Sequence, residues 1–198
     1  MSRKRRSATG GGVDREEDYG GGTGIMKTIL YVGKLSHGKG PMLLMDALLS
    51  ILKRQPGRAV FIGEGPLLGP LQAQVWALGL WDDVEFLGHV AHEHMPGHYQ
   101  RADVTVVPSV WQEPFGRVAL EALWWGCPIV VTNRGGLPEI ARYGPSVVVE
   151  PTADGIAEGV LHMLALPRQE PDRERLQEVF GERVVAAHVS MYRRVRAA

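Results

Sequence analysis

The stretch VTVVPSVWQEPFGRVALEALWWG, residues 104–126, reads as one strand, one loop and one helix in succession. Val104 to Val107 is a short apolar run of strand type. Val118 to Trp125 carries a helical pattern and stops at Gly126. Between them, Glu113-Pro114-Phe115-Gly116 has the residue types of a turn. Glu113 lies in the loop and Glu121 in the helix. Backbone amides near Phe115 to Val118, at the helix start, suit a phosphate, because the helix dipole and the unpaired N–H groups point the same way. Carboxylates accept hydrogen bonds from hydroxyls. A ligand with both anionic and hydroxyl groups, such as a nucleoside-diphosphate sugar, matches the set.

The same unit recurs on either side. Thr28 to Val32 reads as a strand, and Gly33 to Gly40 as a glycine-rich turn. Pro41 can open a helix, and Leu43, Leu44, Ala47, Leu48, Ile51 and Leu52 follow at helical spacing. Ala59 to Ile62 is a second strand, ended by Gly63-Glu64-Gly65-Pro66, with a helix over Leu67 to Leu78. Val84 to Leu87 is a third strand, and His92 to Arg101 a helix that Pro96-Gly97 threatens to break. Ile129 to Val131 and Ser146 to Val149 are further strands. Helices are expected over Ala153 to Leu166 and Asp172 to Arg194. Alternation of short strands with helices implies an α/β domain: a parallel sheet of about six strands with helices on both faces. Ligands of such sheets bind beyond the carboxyl ends of the strands, where all the notable loops would gather.

Composition sets outer bounds. The chain has 198 residues, 44% of them hydrophobic, enough for one sizeable core. Acidic and basic side chains balance at 22 each, so no net field draws nucleic acid or an anionic membrane. The single cysteine, Cys127, excludes an intrachain disulfide and fits a reducing, cytoplasmic setting. No apolar stretch is long enough to span a bilayer. Residues 1–24 hold Arg3-Lys4-Arg5-Arg6, two glycine runs and an acidic–basic patch, and read as a disordered tail or linker.

At this point the chain resembles the retaining glycosyltransferases of family 4, over roughly residues 27–195 and in their C-terminal, nucleotide-sugar-binding half. Tyr31-Val32-Gly33-Lys34-Leu35 with Lys39-Gly40, Gly63-Glu64-Gly65-Pro66 and Phe86-Leu87-Gly88-His89-Val90 carry the resemblance. Pro108-Ser109, Glu113-Pro114-Phe115-Gly116, Glu121-Ala122, Gly126-Cys127-Pro128 and Gly135-Gly136-Leu137-Pro138-Glu139 complete it. The ordered set is far more specific than any one piece.

The resemblance implies a Rossmann-like domain over 25–198, the C-terminal half of a GT-B fold. It implies that Lys39 neutralises the donor diphosphate and that Glu113 binds the donor sugar or steadies charge at its anomeric carbon, the two forming the catalytic pair. Lys34 would be a second cation, where the family commonly has arginine; a lysine keeps the charge but not the planar fork. Glu121 would accept from the ribose hydroxyls, the amides of Phe115 and Gly116 would hold sugar or phosphate oxygens, and His89 would lie by the base. Gly33 and Gly40 would let the backbone approach phosphate, with Gly135-Gly136 acting likewise. Neither a metal nor a cofactor is expected beyond the nucleotide sugar. The acceptor would be held by an N-terminal domain or subunit that residues ahead of 25 are too few and too polar to form.

Other features have plainer readings. His94 and His98 share a spacing that can serve zinc, but no cysteine joins them. Trp124 or Trp125 is expected to pack on the sheet, and Cys127 to be a small buried residue. Arginines of the last helix form a solvated face, with peripheral membrane association as the alternative. A non-catalytic nucleotide-binding module and a nucleotide-sugar epimerase remain as other functions. A nicotinamide oxidoreductase is disfavoured, since no G-x-G-x-x-G links the first strand to its helix.

Overall fold

A computed structural model describes residues 26–177. The tail read over 1–24 lies outside them, as does the helix expected over Asp172 to Arg194, except for a helical turn at 173–177. The elements alternate in chain order: β1 Lys27–Val32, α1 Pro41–Arg54, β2 Gly57–Ile62, α2 Leu68–Leu78, β3 Val84–Gly88 and α3 Met95–Arg101. Then come β4 Val104–Val107, α4 Arg117–Trp124, β5 Ile129–Thr132, α5 Leu137–Ala141, β6 Ser146–Val149 and α6 Ala153–Ala165. The strands form one six-stranded sheet in the order β3-β2-β1-β4-β5-β6. Every pairing is parallel, as the strand–helix alternation required.

Strand residues alternate between two cores because successive side chains point to opposite faces. Ile29, Tyr31, Phe61, Val104 and Val106 meet Leu44, Leu48 and Ile51 of α1, Leu71 and Val75 of α2, and Ile156 and Val160 of α6. Leu30, Val60, Ile129 and Val131 meet Met95 and Tyr99 of α3, Ala119 and Leu123 of α4, and Leu137 and Ile140 of α5. Both faces of the central strands are therefore covered, which is why they read as continuous apolar runs. Arg54 of α1 pairs with Glu158 of α6, tying together the helices of the first layer.

Three local readings change. The second strand begins at Gly57, two residues earlier than its apolar run, because Gly57 and Arg58 pair with Lys27 and Thr28. Pro96 does not break a helix: it sits in the first turn of α3, where its missing N–H leaves no bond unmade. A short 3-10 turn at His92–His94 precedes it. Helix α5 was not expected, and Pro138 stands in its first turn.

Cys127 is buried, as expected. Its Sγ lies 3.1 Å from the Thr105 hydroxyl. Burial pushes its thiol up to about 12, against the smaller opposing effect of the Thr105 hydrogen bond. Trp124 and Trp125 pack partly against the second core, with the Arg173 guanidinium 5.9 and 5.8 Å from their rings.

Candidate functional site

The strand order reverses between β1 and β4, which pair side by side although β2 and β3 intervene in the chain. Loops leaving such neighbours part in opposite directions and open a crevice at the carboxyl edge. The β1 loop passes through a 3-10 turn at His37–Lys39 and a left-handed Gly40 into α1. The β4 loop passes through Glu113 and a left-handed Gly116 into α4.

Backbone contacts hold these loops to their neighbours. A β-carbon on Gly40 would stand 1.9 Å from the Pro108 carbonyl oxygen. On Gly135 it would stand 2.1 Å from the Glu113 carbonyl oxygen. The Gly136 N–H donates to that same Glu113 oxygen at 2.7 Å, and the Val110 N–H donates to the Gly38 oxygen at 3.0 Å. Gly40 and Gly135 thus lie close against the β4 loop, where a side chain would collide with its backbone. Gly33 differs: its missing side chain would meet only the Tyr31 ring, so its outer face is open.

This bracing brings together two residues that lie 74 positions apart. The Lys39 ammonium donates to Glu113 Oε2 at 2.5 Å. The Ser109 hydroxyl (3.2 Å) and the Trp111 indole N–H (3.3 Å) donate to the same oxygen. The Trp111 ring lies 5.2 Å from Lys39 Nζ, a cation–π contact. Glu113 is only 12% exposed, yet its charge is met by a cation and two neutral donors. Sequence reasoning placed Lys39 and Glu113 in one site but did not foresee their direct pairing or the roles of Ser109 and Trp111. Both of these lie in the quoted 104–126 stretch, where spacing gives no sign of which way a loop side chain turns.

A cleft of about 350 Å³ opens over this pair, lined among others by Gly33, Lys39, Glu113, Phe115, Gly116 and Arg117. A second, of about 280 Å³, is lined by Gly33, Lys34, Glu64, His89, Arg117 and Glu121, among others. The two share Val32, Gly33, Arg117 and Val118, so they form one continuous trough. Eight of the nine expected site residues line it, and the ninth, Gly40, lies against the Pro108 backbone beneath the loop.

Glu121 is 11% exposed and is aimed by Tyr99, whose hydroxyl donates to its Oε2 at 2.9 Å. Arg117 stands one helical turn earlier, its Nε 4.0 Å from Glu121 Oε1. Neither Tyr99 nor Arg117 was singled out from sequence. Tyr31 steadies the Lys34 loop by donating to the Lys34 carbonyl at 2.9 Å. Burial, and then the Glu113 charge, hold its hydroxyl well above the usual range, so it stays a donor. His94 faces Glu93 at 3.5 Å, and among the described residues no three ligating side chains gather for a metal. No described helix is long and apolar enough to cross a membrane.

Known proteins resemble this chain in sequence and fold. An uncharacterized glycosyltransferase of Methanocaldococcus jannaschii is 41% identical over 141 residues, 70% of this chain and 36% of that protein. A GDP-mannose-dependent alpha-(1-6)-phosphatidylinositol monomannoside mannosyltransferase of Mycobacterium tuberculosis is 34% identical over 150 residues, 71% of this chain and 39% of the relative. Sucrose-phosphate synthase from Thermosynechococcus elongatus superposes with a TM-score of 0.67 at 28% identity, covering 87% of this chain and 46% of that one. The chain therefore spans less than half the length of each of these proteins. The family model for glycosyl transferases group 1 matches residues 24–180, from before β1 to beyond α6, and the chain belongs to that family.

Proposed function

We propose that this domain binds a nucleoside-diphosphate sugar and is the donor half of a retaining glycosyltransferase. The observation that carries the reading is the Lys39–Glu113 pair, set in a trough at the point where the strand order reverses. The trough has an acidic, hydroxyl-accepting group at each end and cations and helix-start amides between them. That sequence of groups matches ribose, diphosphate and sugar in order. A relative that depends on GDP-mannose supports the substrate class.

In this reading the sugar–phosphate C–O bond breaks and negative charge collects on the departing diphosphate. Lys39, Lys34 and the first amides of α4 offset it, and no metal is required. Glu113 exchanges the Lys39 ammonium for sugar hydroxyls and faces the positive charge growing at the anomeric carbon. An acceptor hydroxyl arriving on the face the diphosphate leaves bonds through its oxygen to the anomeric carbon, passes its proton to the departing phosphate oxygen and keeps the anomeric configuration. The acceptor is held by an N-terminal domain or partner subunit, and the enzyme works in the cytoplasm.

Calorimetric titration with UDP, GDP and ADP in chelator tests the reading. One nucleotide is expected to bind saturably. Glu121→Ala should weaken it by about ten- to a hundredfold, the scale of lost hydrogen bonds to a charged group. Equal affinity in wild type and Glu121→Ala would sink the ribose assignment. No binding of any of the three would sink the donor-site reading for this chain.

A further inference from the structure

Of the residues that line both halves of the trough, Arg117 alone is charged, and it has no place in the reading so far. It occupies the first position of α4, directly after Gly116. Its side chain is 63% exposed, and its ion pair to Glu121 Oε1 is a loose 4.0 Å. Glu121 has a closer donor in the Tyr99 hydroxyl. Orienting Glu121 therefore does not account for Arg117.

Its position is also electrostatically unfavourable. A cation in the first turn of a helix faces the positive end of the dipole, and α4 has no acidic residue there to compensate. An anion arriving between Arg117 and the helix-start amides turns that repulsion into attraction from two sides. Among the described residues, the one other lysine or arginine lining the half of the trough that holds His89 and Glu121 is Lys34. Lys34 carries no planar fork, whereas a guanidinium can grip two phosphate oxygens at once.

We propose that Arg117 is a donor-binding residue that grips the phosphate next to the ribose. This rests on the donor-site reading above. Glu121, one turn along the same helix, sets the ribose, and Lys39 lies in the other half of the trough beside Glu113. Arg117 stands between them and so meets the nearer phosphate, leaving the farther one to Lys39. The two cations thus divide the diphosphate between them.

The test is a set of NMR titrations on wild type, Arg117→Ala, Arg117→Lys and Lys39→Ala. The probes are UDP, GDP and ADP, with the corresponding monophosphates and nucleosides. Arg117→Ala is expected to weaken monophosphate and diphosphate alike, by tenfold or more, and to leave the nucleoside within twofold. Arg117→Lys should recover part of the loss. Lys39→Ala should weaken the diphosphate alone. Because Arg117 is exposed, its variants should melt with wild type, which a thermal scan checks. The proposal is overturned if Arg117→Ala leaves the monophosphate unchanged, or if monophosphate and nucleoside fall together, which would mark a role through Glu121. If wild type binds no nucleotide, the donor-site reading fails and takes this proposal with it.

Discussion

Gly40→Ala is expected to cost about 3 kcal/mol or more of stability and to abolish nucleotide binding. Two effects add. The residue sits at φ 67°, where an L side chain is strained by about 1 kcal/mol or more. Its β-carbon would also stand 1.9 Å from the Pro108 oxygen, and a backbone carbonyl cannot swing aside as a flexible side chain can. Relief requires the β1 and β4 loops to part, which pulls Lys39 away from Glu113. Gly69→Ala is the matched control. Gly69 lies in α2 with nothing within 4 Å of an added β-carbon. Alanine there should be neutral or stabilise by about 0.5–1 kcal/mol. Denaturant melts followed by circular dichroism compare the two. A Gly40→Ala midpoint matching wild type would show that the loops move independently, contrary to the packing.

Lys39→Ala should have the largest effect on donor chemistry. It removes the cation 2.5 Å from Glu113 and leaves that carboxylate to Ser109 and Trp111 alone. Affinity for a nucleoside-diphosphate sugar is expected to fall by about a hundredfold, and turnover with the acceptor-binding part present by about 10²–10³-fold, the scale of losing one transition-state charge contact. Stability should fall as well, by about 1–2 kcal/mol, since the pair is only partly shielded from water. The double substitution Lys39→Met with Glu113→Gln separates these losses. It removes both charges, so stability should return toward wild type while binding does not. If binding returned with stability, the lysine would serve the fold and not the donor.

The sheet was readable because its strands are buried on both faces and its helices keep a regular apolar spacing. What could not be read follows from short range. Helix α5, at five residues, has too few turns for periodicity to register. The start of β2 at Gly57 is set by pairing with β1, not by its own apolar residues. Pro96 carried two opposite readings, and only its place at a helix start decides between them.

The site divides the same way. Glu113, Glu121, Lys39 and the turn glycines could be assigned to one sheet edge because an ordered set of loops marked them. The partners that aim them were missed. Tyr99 reaches Glu121 from another helix, 22 residues away, and reads in sequence as one more apolar position. Nothing in the sequence singles out Arg117, and only the shape of the trough shows that it borders both halves. The packing of Gly40 and Gly135 against the β4 loop was not legible, since turn geometry is local but what a bare backbone leans against is not.

Cys127 is the only thiol in the chain and is sealed between β4 and β5, by Thr105 and the carbonyls of Ala102 and Pro128. Only the thiolate reacts readily with alkylating reagents, and here both burial and the high pKa withhold it. Modification therefore has to wait for the strands to come apart, and its rate counts those openings one molecule at a time. A native clock is thus built into the half of the sheet that carries Glu113. A nucleotide that bridges the β1 and β4 loops should slow that clock, so thiol labelling followed by mass spectrometry would report donor binding without a radiolabel, an acceptor or an added fluorophore.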